Sequence, residues 1–241
     1  MRSISILILA LLFSTTSQAQ WWGNKSVKGN GKMTTETRTT SDYDGIRCAG
    51  SMDFILVAGE EGKITLEGEE NLLKHIITEI KNGQLVVKVE KGKNIKPSWG
   101  KDLKITIPFR EIEKVSLAGS GDLWNKDTIK SDELDVSLAG SGDVVLDIQT
   151  NEVSGSIAGS GDLTLKGDTD SLDASVAGSG DFHGFELESK NTVVSVAGSG
   201  DAKVVSRVSL KARVAGSGDI EYRGNPDKED TKVSGSGSIS N

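Results

Sequence analysis

Beyond residue 40, apolar and polar residues alternate almost one for one along most of the chain, the pattern of strands with one buried face. The alternation begins with Ile46 and Cys48, passes through Phe54-Ile55-Leu56-Val57, turns at Gly59-Glu60-Glu61-Gly62 and resumes in Lys63-Ile64-Thr65-Leu66-Glu67. Between Glu70 and Ile77 the period changes, because Leu72, Leu73, Ile76 and Ile77 are spaced as on a helix; one short helix is predicted there. Asn82-Gly83 then separates Ile77–Ile80 from Leu85–Val89, which predicts a tight hairpin, since both turn residues tolerate a positive φ. A further strand, Leu103 to Pro108, ends or reaches a sheet edge at its proline.

From Glu111 onward the alternation is punctuated by one phrase, Ala-Gly-Ser-Gly-Asp, starting at Ala118, Ala139, Ala158, Ala177, Ala197 and Ala215, with spacings of 21, 19, 19, 20 and 18 residues. A degenerate copy runs from Ser234 to Ser238, and an isolated relative, Ala49-Gly50-Ser51-Met52-Asp53, precedes the series. Self-similarity at this period marks stacked rungs. Within a rung, Val115, Leu117, Gly119, Gly121 and Leu123 fall on one side and Ser116, Ala118, Ser120 and Asp122 on the other. The apolar set is the interior, and its glycines mark a corner. Nineteen residues at ~3.3 Å each give a contour of at most ~63 Å, which suits a two- or three-sided coil. The expected fold is all-β: a right-handed parallel β-helix-like solenoid, residues 111–241, preceded by an N-terminal strand set, 41–110, with the one short helix. Ser238 replaces the aspartate in the last copy, as in a terminal capping rung.

Before this body, Arg2, the apolar run Ile4–Phe13 and Ser17-Gln18-Ala19 have the layout of a secretory signal peptide, residues 1–19. Residues 20–40 read as an exposed, polar lead-in carrying Trp21-Trp22, which would dock on the body or on a partner. Nothing after Gln20 is apolar enough over ~20 residues to span a bilayer as a helix. The mature chain is therefore expected to be exported, to the periplasm, the outer-membrane surface or the medium. Its single cysteine, Cys48, excludes an internal disulfide and suits a buried small side chain. Net charge is −7, or −8 once Arg2 leaves with the leader, which argues against nucleic acid as a partner.

Stacking the rungs in register would align Asp122, Asp143, Asp162, Asp181, Asp201 and Asp219 about 4.8 Å apart. Unit charges at that distance repel by about 0.9 kcal/mol in water and about 3.5 kcal/mol at an effective dielectric of 20. Such a column needs solvent, hydrogen bonds from the Ser hydroxyls and Gly amides of adjacent rungs, or cations. Turn-capping requires no cofactor; calcium is the alternative, although the nine-residue period and doubled glycine of calcium rolls are absent. The same aspartates, with Ser120, Ser141, Ser160, Ser179, Ser199 and Ser217, form a strip that a polysaccharide or another cell-surface component would suit. Trp99 joins them as a candidate, because it lies among Lys81, Lys88, Lys91, Lys93, Lys96, Lys101 and Lys104; it would face a ligand or plug the end of the coil. No Ser/His/Asp or Cys/His arrangement stands out, so no catalytic residue is assigned. Of the two histidines, His75 belongs to the short helix, while His183 occurs in one rung only and is where a unique site would sit.

Tyr43-Asp44-Gly45-Ile46, the phrase at 49–53 with Phe54, Glu67-Gly68-Glu69-Glu70-Asn71-Leu72-Leu73, Asn82-Gly83-Gln84-Leu85 and the ladder together resemble the family described as putative auto-transporter adhesin, head GIN domain, which is common in exported Bacteroidetes proteins. The resemblance covers Tyr43 to Tyr222. It implies a β-helix-like fold and an adhesin role at the cell envelope, and supplies no catalytic residues. No series of alternating membrane-barrel strands follows the ladder before Asn241, so an adhesin-like domain is expected and self-export is not. Three functions follow as alternatives: a non-enzymatic module binding a glycan or envelope partner through its repeated face, a polysaccharide lyase or hydrolase on the same scaffold, and a structural or signalling envelope module without a small ligand.

Overall fold

A computed structural model describes residues 25–241; the expected signal peptide and Trp21-Trp22 lie outside the described residues. The chain forms a parallel β-solenoid of about seven turns. Strands β1 (Lys25–Lys28), β2 (Met33–Thr39), β3 (Gly45–Gly50), β4 (Asp53–Ala58) and β5 (Lys63–Glu69) lead to a single helical turn, α1 (Glu70–Leu73). Then follow β6 (Ile76–Lys81), β7 (Gln84–Val89), β8 (Lys93–Lys96) and β9 (Lys104–Phe109). The ladder comprises β10 (Lys114–Gly119), β11 (Leu123–Asn125), β12 (Ile129–Gly140), β13 (Val144–Gly159), β14 (Leu163–Gly178), β15 (Phe182–Gly198), β16 (Ala202–Val205), β17 (Ser209–Gly216), β18 (Ile220–Arg223), β19 (Lys228–Gly235) and β20 (Ile239–Ser240).

Two parallel walls enclose the interior. One stacks β7, β3, β10, β12, β13, β14, β15, β17 and β19. The other stacks β9, β4, β11, β13, β14, β15, β16, β18 and β20. The long strands β13, β14 and β15 belong to both, bending once at Asn151, Asp170 and Lys190, where residue-by-residue pairing is interrupted. Inward side chains of both walls, from Ile46 and Phe54 through Val144, Leu163 and Phe182 to Val214 and Ile220, form one continuous buried core.

The chain does not wind in sequence order at its N-terminal end. Gly50 pairs with Gly119, so the isolated phrase at 49–53 is the rung directly beneath the first full repeat. The intervening segment folds back below it, β7 under β3 and β9 under β4, and closes that end with antiparallel strands: β6 on β7, β5 on β9 and β2 on β5. This corrects the helix expected over 70–77. Its first turn forms, but Ile76 and Ile77 belong to β6, whose ladder to β7 through the Asn82-Gly83 hairpin outweighs the local helical spacing. Asn82 and Gly83 have φ of 51° and 76°, as a tight hairpin requires. Residues 25–40, expected as a lead-in, are mostly exposed but are structured: β1 pairs with β8 in parallel and β2 with β5.

Candidate binding face and corner columns

At the Ser-Gly-Asp corner, backbone meets backbone. The carbonyl of Gly140 accepts the amides of both Ser160 and Gly161 from the next rung, at 2.8 and 3.1 Å, and the same pair of bonds recurs from Gly50 to Gly216. Neither glycine admits a side chain: a Cβ on Gly159 would lie 2.2 Å from the Gly140 oxygen, and one on Gly161 would lie 2.0 Å from that of Gly142. Gly159 also has a φ of +140°, which L side chains rarely adopt. In the lowest copy Met52 stands where later rungs have the second glycine. Beneath it runs the Leu103 segment, whose carbonyl accepts the Asp53 amide, so the Met52 side chain is accommodated and buried.

The aspartates form the expected column, with a different donor from the one expected. Each carboxylate accepts the backbone amide of the next aspartate: Asp143 to Asp122 at 3.1 Å, Asp162 to Asp143 at 3.1 Å, Asp181 to Asp162 at 2.9 Å, and Asp201 to Asp181 and Asp219 to Asp201 at 2.8 Å. Ser238, in the degenerate copy, completes the series by donating its amide and hydroxyl to Asp219. The Gly amides expected, with the Ser hydroxyls, to serve the carboxylates are taken by glycine carbonyls instead, as are the Ser amides. At the foot of the column Asp53 is half-buried; desolvation raises its pKa, the Asp122 amide opposes the rise, and the Asp122 charge adds to it. Ser120, Ser141, Ser160, Ser179, Ser199 and Ser217 all lie exposed at the corner, beside Asp122, Asp143 and Asp219; Asp162, Asp181 and Asp201 are half-buried.

Next to this corner, the outer surface of the first wall is flat. Ala49, Ala118, Ala139, Ala158, Ala177, Ala197 and Ala215 stand in one column, and Ser116, Ser137, Ser156, Ser175 and Ser195 in the next. Arg47 and Arg213 continue the serine column at its two ends. Ser137 donates to Ser116 at 2.8 Å. Small side chains on a nine-strand wall leave a hydroxyl-bearing strip of low relief.

The second corner is lined inside by hydroxyls, a column that sequence reading missed. Ser131, Thr150, Thr169 and Ser189 stack in register. Thr150 donates to Thr169 at 3.1 Å, and the Ser189 hydroxyl donates to the Asn191 carbonyl at 3.0 Å. Its signal was weak because the hydroxyls fall at unequal distances from the preceding aspartate. Outside the corner, Asp132, Asn151, Asp168 and Asp170 line an open, acidic cleft of about 470 Å³.

Trp99 is fully exposed and plugs nothing. Its loop is held by Glu69, also missed, a buried carboxylate that accepts the amide and hydroxyl of Ser98 at 2.8 and 2.6 Å and the amide of Gly31. Burial alone would raise the Glu69 pKa; the Ser98 and Gly31 hydrogen bonds, with the charge of Lys101, outweigh it and hold the carboxyl low. Of the lysine cluster, Lys81 and Lys88 pair with Glu79 and Lys104 lies 4.0 Å from Asp102, while Lys93 and Lys96 stand opposite Lys25 and Lys28. Cys48 is buried, which pushes its thiol pKa up. His75 follows the helical turn and pairs with Glu90 at 2.9 Å. His183 lies 3.8 Å from Asp162, beside Asp181.

Fold and surface define a class, the parallel β-solenoid domain with a flat repeated face. Residues 42–226 match the family model described as putative auto-transporter adhesin, head GIN domain, and the chain belongs to that family. A putative adhesin from Bacteroides fragilis has the same fold, with a TM-score of 0.81 at 21% identity, covering 89% of this chain and 99% of that one. A putative lipid binding protein from Parabacteroides distasonis is 28% identical with a TM-score of 0.75, covering 90% and 99%. A putative adhesin from Parabacteroides merdae is 25% identical with a TM-score of 0.68, covering 90% and 98%. No curated protein matches in sequence. No helix among the described residues is long and apolar enough to cross a membrane.

Proposed function

We propose that the chain is an exported, non-enzymatic adhesin module that binds a glycan of the cell envelope through its repeated face. The observation that carries this reading is the alignment of identical outward groups, Ala118 to Ala215 and Ser116 to Ser195, in unbroken columns across successive rungs. A repeating surface offers a repeating ligand many equivalent contacts, each weak, whose sum gives useful avidity. A unique catalytic pocket would break this equivalence, and the repeated aspartates are already engaged by backbone amides.

Trp99 supports a second reading, in which the N-terminal tip docks on anionic lipid. An exposed Trp near Lys28, Lys96 and Lys101 combines an interfacial aromatic with attraction to negative headgroups. One relative named above is described as lipid binding.

The test is thermal unfolding of the mature chain against envelope polysaccharides and against anionic lipid vesicles, with product analysis of each polysaccharide. A ligand at 100 times its Kd adds about 2.7 kcal/mol to the folded state. The glycan reading expects a shift that the double variant Ala158→Arg/Ala177→Arg removes while Trp99→Ala retains it, with no product formed. The reverse pattern, with vesicles, selects the lipid reading. A polysaccharide that is depolymerised overturns the non-enzymatic assignment, and no response to either class overturns both readings.

A further inference from the structure

One rung departs from the repeat in a way that changes its chemistry. The residue two positions after the aspartate is Trp124, Val145, Thr164, Lys203 or Glu221 in the other rungs, and His183 in this one. His183 pairs with Thr164 of the rung below, on the outward side of the strand that follows the corner. Its ring reaches back towards Asp162 of that rung, with Nε2 3.8 Å from Oδ2. Asp181, of its own rung, completes a set in which one ligand atom from each residue lies within 4.8 Å of the others. We infer that Asp162, Asp181 and His183 form a binding site for one divalent transition-metal ion of the zinc, nickel or copper kind.

The two carboxylates are held in place before any ion arrives. Asp162 Oδ1 accepts the Asp181 amide at 2.9 Å, and Asp181 Oδ1 accepts the Asp201 amide at 2.8 Å. Each therefore has one oxygen fixed by a backbone donor and the other available, the outer-shell arrangement that orients metal-ligating carboxylates. Both side chains are half-buried, whereas Asp122, Asp143 and Asp219 are exposed. Partial desolvation strengthens the repulsion between stacked carboxylates, so a cation is favoured more here than at those exposed positions; Asp201 is also half-buried, but its rung carries Lys203 and not a histidine two residues on. Strand β15 carries an extra residue directly after His183: Thr164 pairs with His183 but Lys166 pairs with Glu186, leaving Gly184 and Phe185 opposite Leu165. Such a bulge re-aims neighbouring side chains.

Metal–ligand bonds of 2.0–2.2 Å place tetrahedral ligand atoms about 3.4 Å apart. The His183–Asp162 separation is close to this, and a swing of the unanchored Asp181 Oδ2 about its hydrogen-bonded Oδ1, with rotation of the outward His183 ring, closes the rest. One imidazole with two carboxylates suits zinc, nickel or copper, whereas calcium takes six to eight oxygens. The site is thus distinct from a calcium ladder along the whole column. An ion bound here joins two successive rungs and leaves a coordination position facing solvent, for water or for an oxygen of a partner.

Equilibrium dialysis and calorimetry of the tag-free mature chain, stripped with EDTA and titrated with Zn2+, Co2+ and Ca2+, test the proposal. The expected result is one Zn2+ per chain and a visible Co2+ absorption band. His183→Thr places in this rung the residue already found at the same position of the rung below, so the coil accommodates it. That variant and Asp162→Asn should each weaken Zn2+ binding at least tenfold and abolish the Co2+ band. His75→Gln, at the far histidine, should leave both unchanged. The proposal is overturned if the wild-type chain binds no Zn2+ below millimolar concentration, if His183→Thr binds as tightly as wild type, or if Ca2+ competes on equal terms.

Discussion

At the Ser-Gly-Asp corner successive rungs touch backbone to backbone, whereas at the second corner, near Asn151, they touch through side-chain hydroxyls. Both solve the same problem, since a coil that turns must satisfy the amides and carbonyls that leave the parallel ladder. The first corner does so with carbonyls of stacked glycines and with carboxylates that reach up one rung. The second uses Thr150, Thr169 and Ser189, buried inside the bend. Backbone contact leaves no room for variation. A hydroxyl column tolerates Ser for Thr, and the differences in rung length fall in the second wall just before this bend, as with the extra residue of β15 after His183, while the five-residue phrase stays constant.

The largest effect that would test this contrast comes from Gly161→Ala. Its Cβ would meet the Gly142 carbonyl oxygen at 2.0 Å and the carbonyl carbon at 3.0 Å, and backbone cannot rotate out of the way as a side chain does. A loss of at least about 3 kcal/mol is expected in urea unfolding, in the range reserved for severe steric conflict. A loss under about 1 kcal/mol would show that the corner adapts and that the glycines answer to something other than packing.

Thr169→Val probes the second corner and should cost less, about 1–2 kcal/mol, the usual consequence of removing a buried hydrogen-bonding hydroxyl. The Thr169 hydroxyl lies 3.2 Å from the Asn151 carbonyl and 3.1 Å from that of Ser171, and it accepts from Thr150 at 3.1 Å. Thr169→Ser should stay within about 0.5 kcal/mol of wild type, because it keeps those bonds. If Thr169→Val proves as costly as Gly161→Ala in the same unfolding assay, the two corners do not differ in tolerance and the contrast fails.

The same contrast explains what could be read from the sequence. Gly119, Gly121 and their repeats announce the first corner because no other residue type fits, and the alternation from Val115 to Leu123 correctly assigns inside and outside. Ser131, Thr150, Thr169 and Ser189 do not announce the second, since hydroxyl residues are common on outward positions too. Long-range order was equally hidden. Nothing local to residues 49–53 shows that they lie beneath residues 118–122, and nothing at Ile76 and Ile77 shows that β7 will claim them as strand. Glu69 escaped notice because its partners, Gly31 and Ser98, come from loops far away in sequence. The aspartate column was foreseen, but not its amide donors, which depend on how far each rung advances along the axis.

The smallest predicted effect concerns that column. Asp143 accepts the Asp162 amide at 3.1 Å, while its own amide donates to Asp122. Asp143→Ala removes the acceptor and should cost about 1 kcal/mol, as loss of a capping side chain does. Asp143→Asn keeps a carbonyl oxygen in place but makes a weaker, uncharged hydrogen bond, a loss offset by relief of repulsion with two stacked neighbours, worth at most about 0.9 kcal/mol per pair in water at this spacing and less once salt screens it. It should therefore fall within about 0.5 kcal/mol of wild type on either side in the same denaturation experiment. Equal losses for both variants would mean that the negative charge itself is what the corner uses, and the column would then differ from the glycines beside it in kind, as an electrostatic device and not a hydrogen-bonded one.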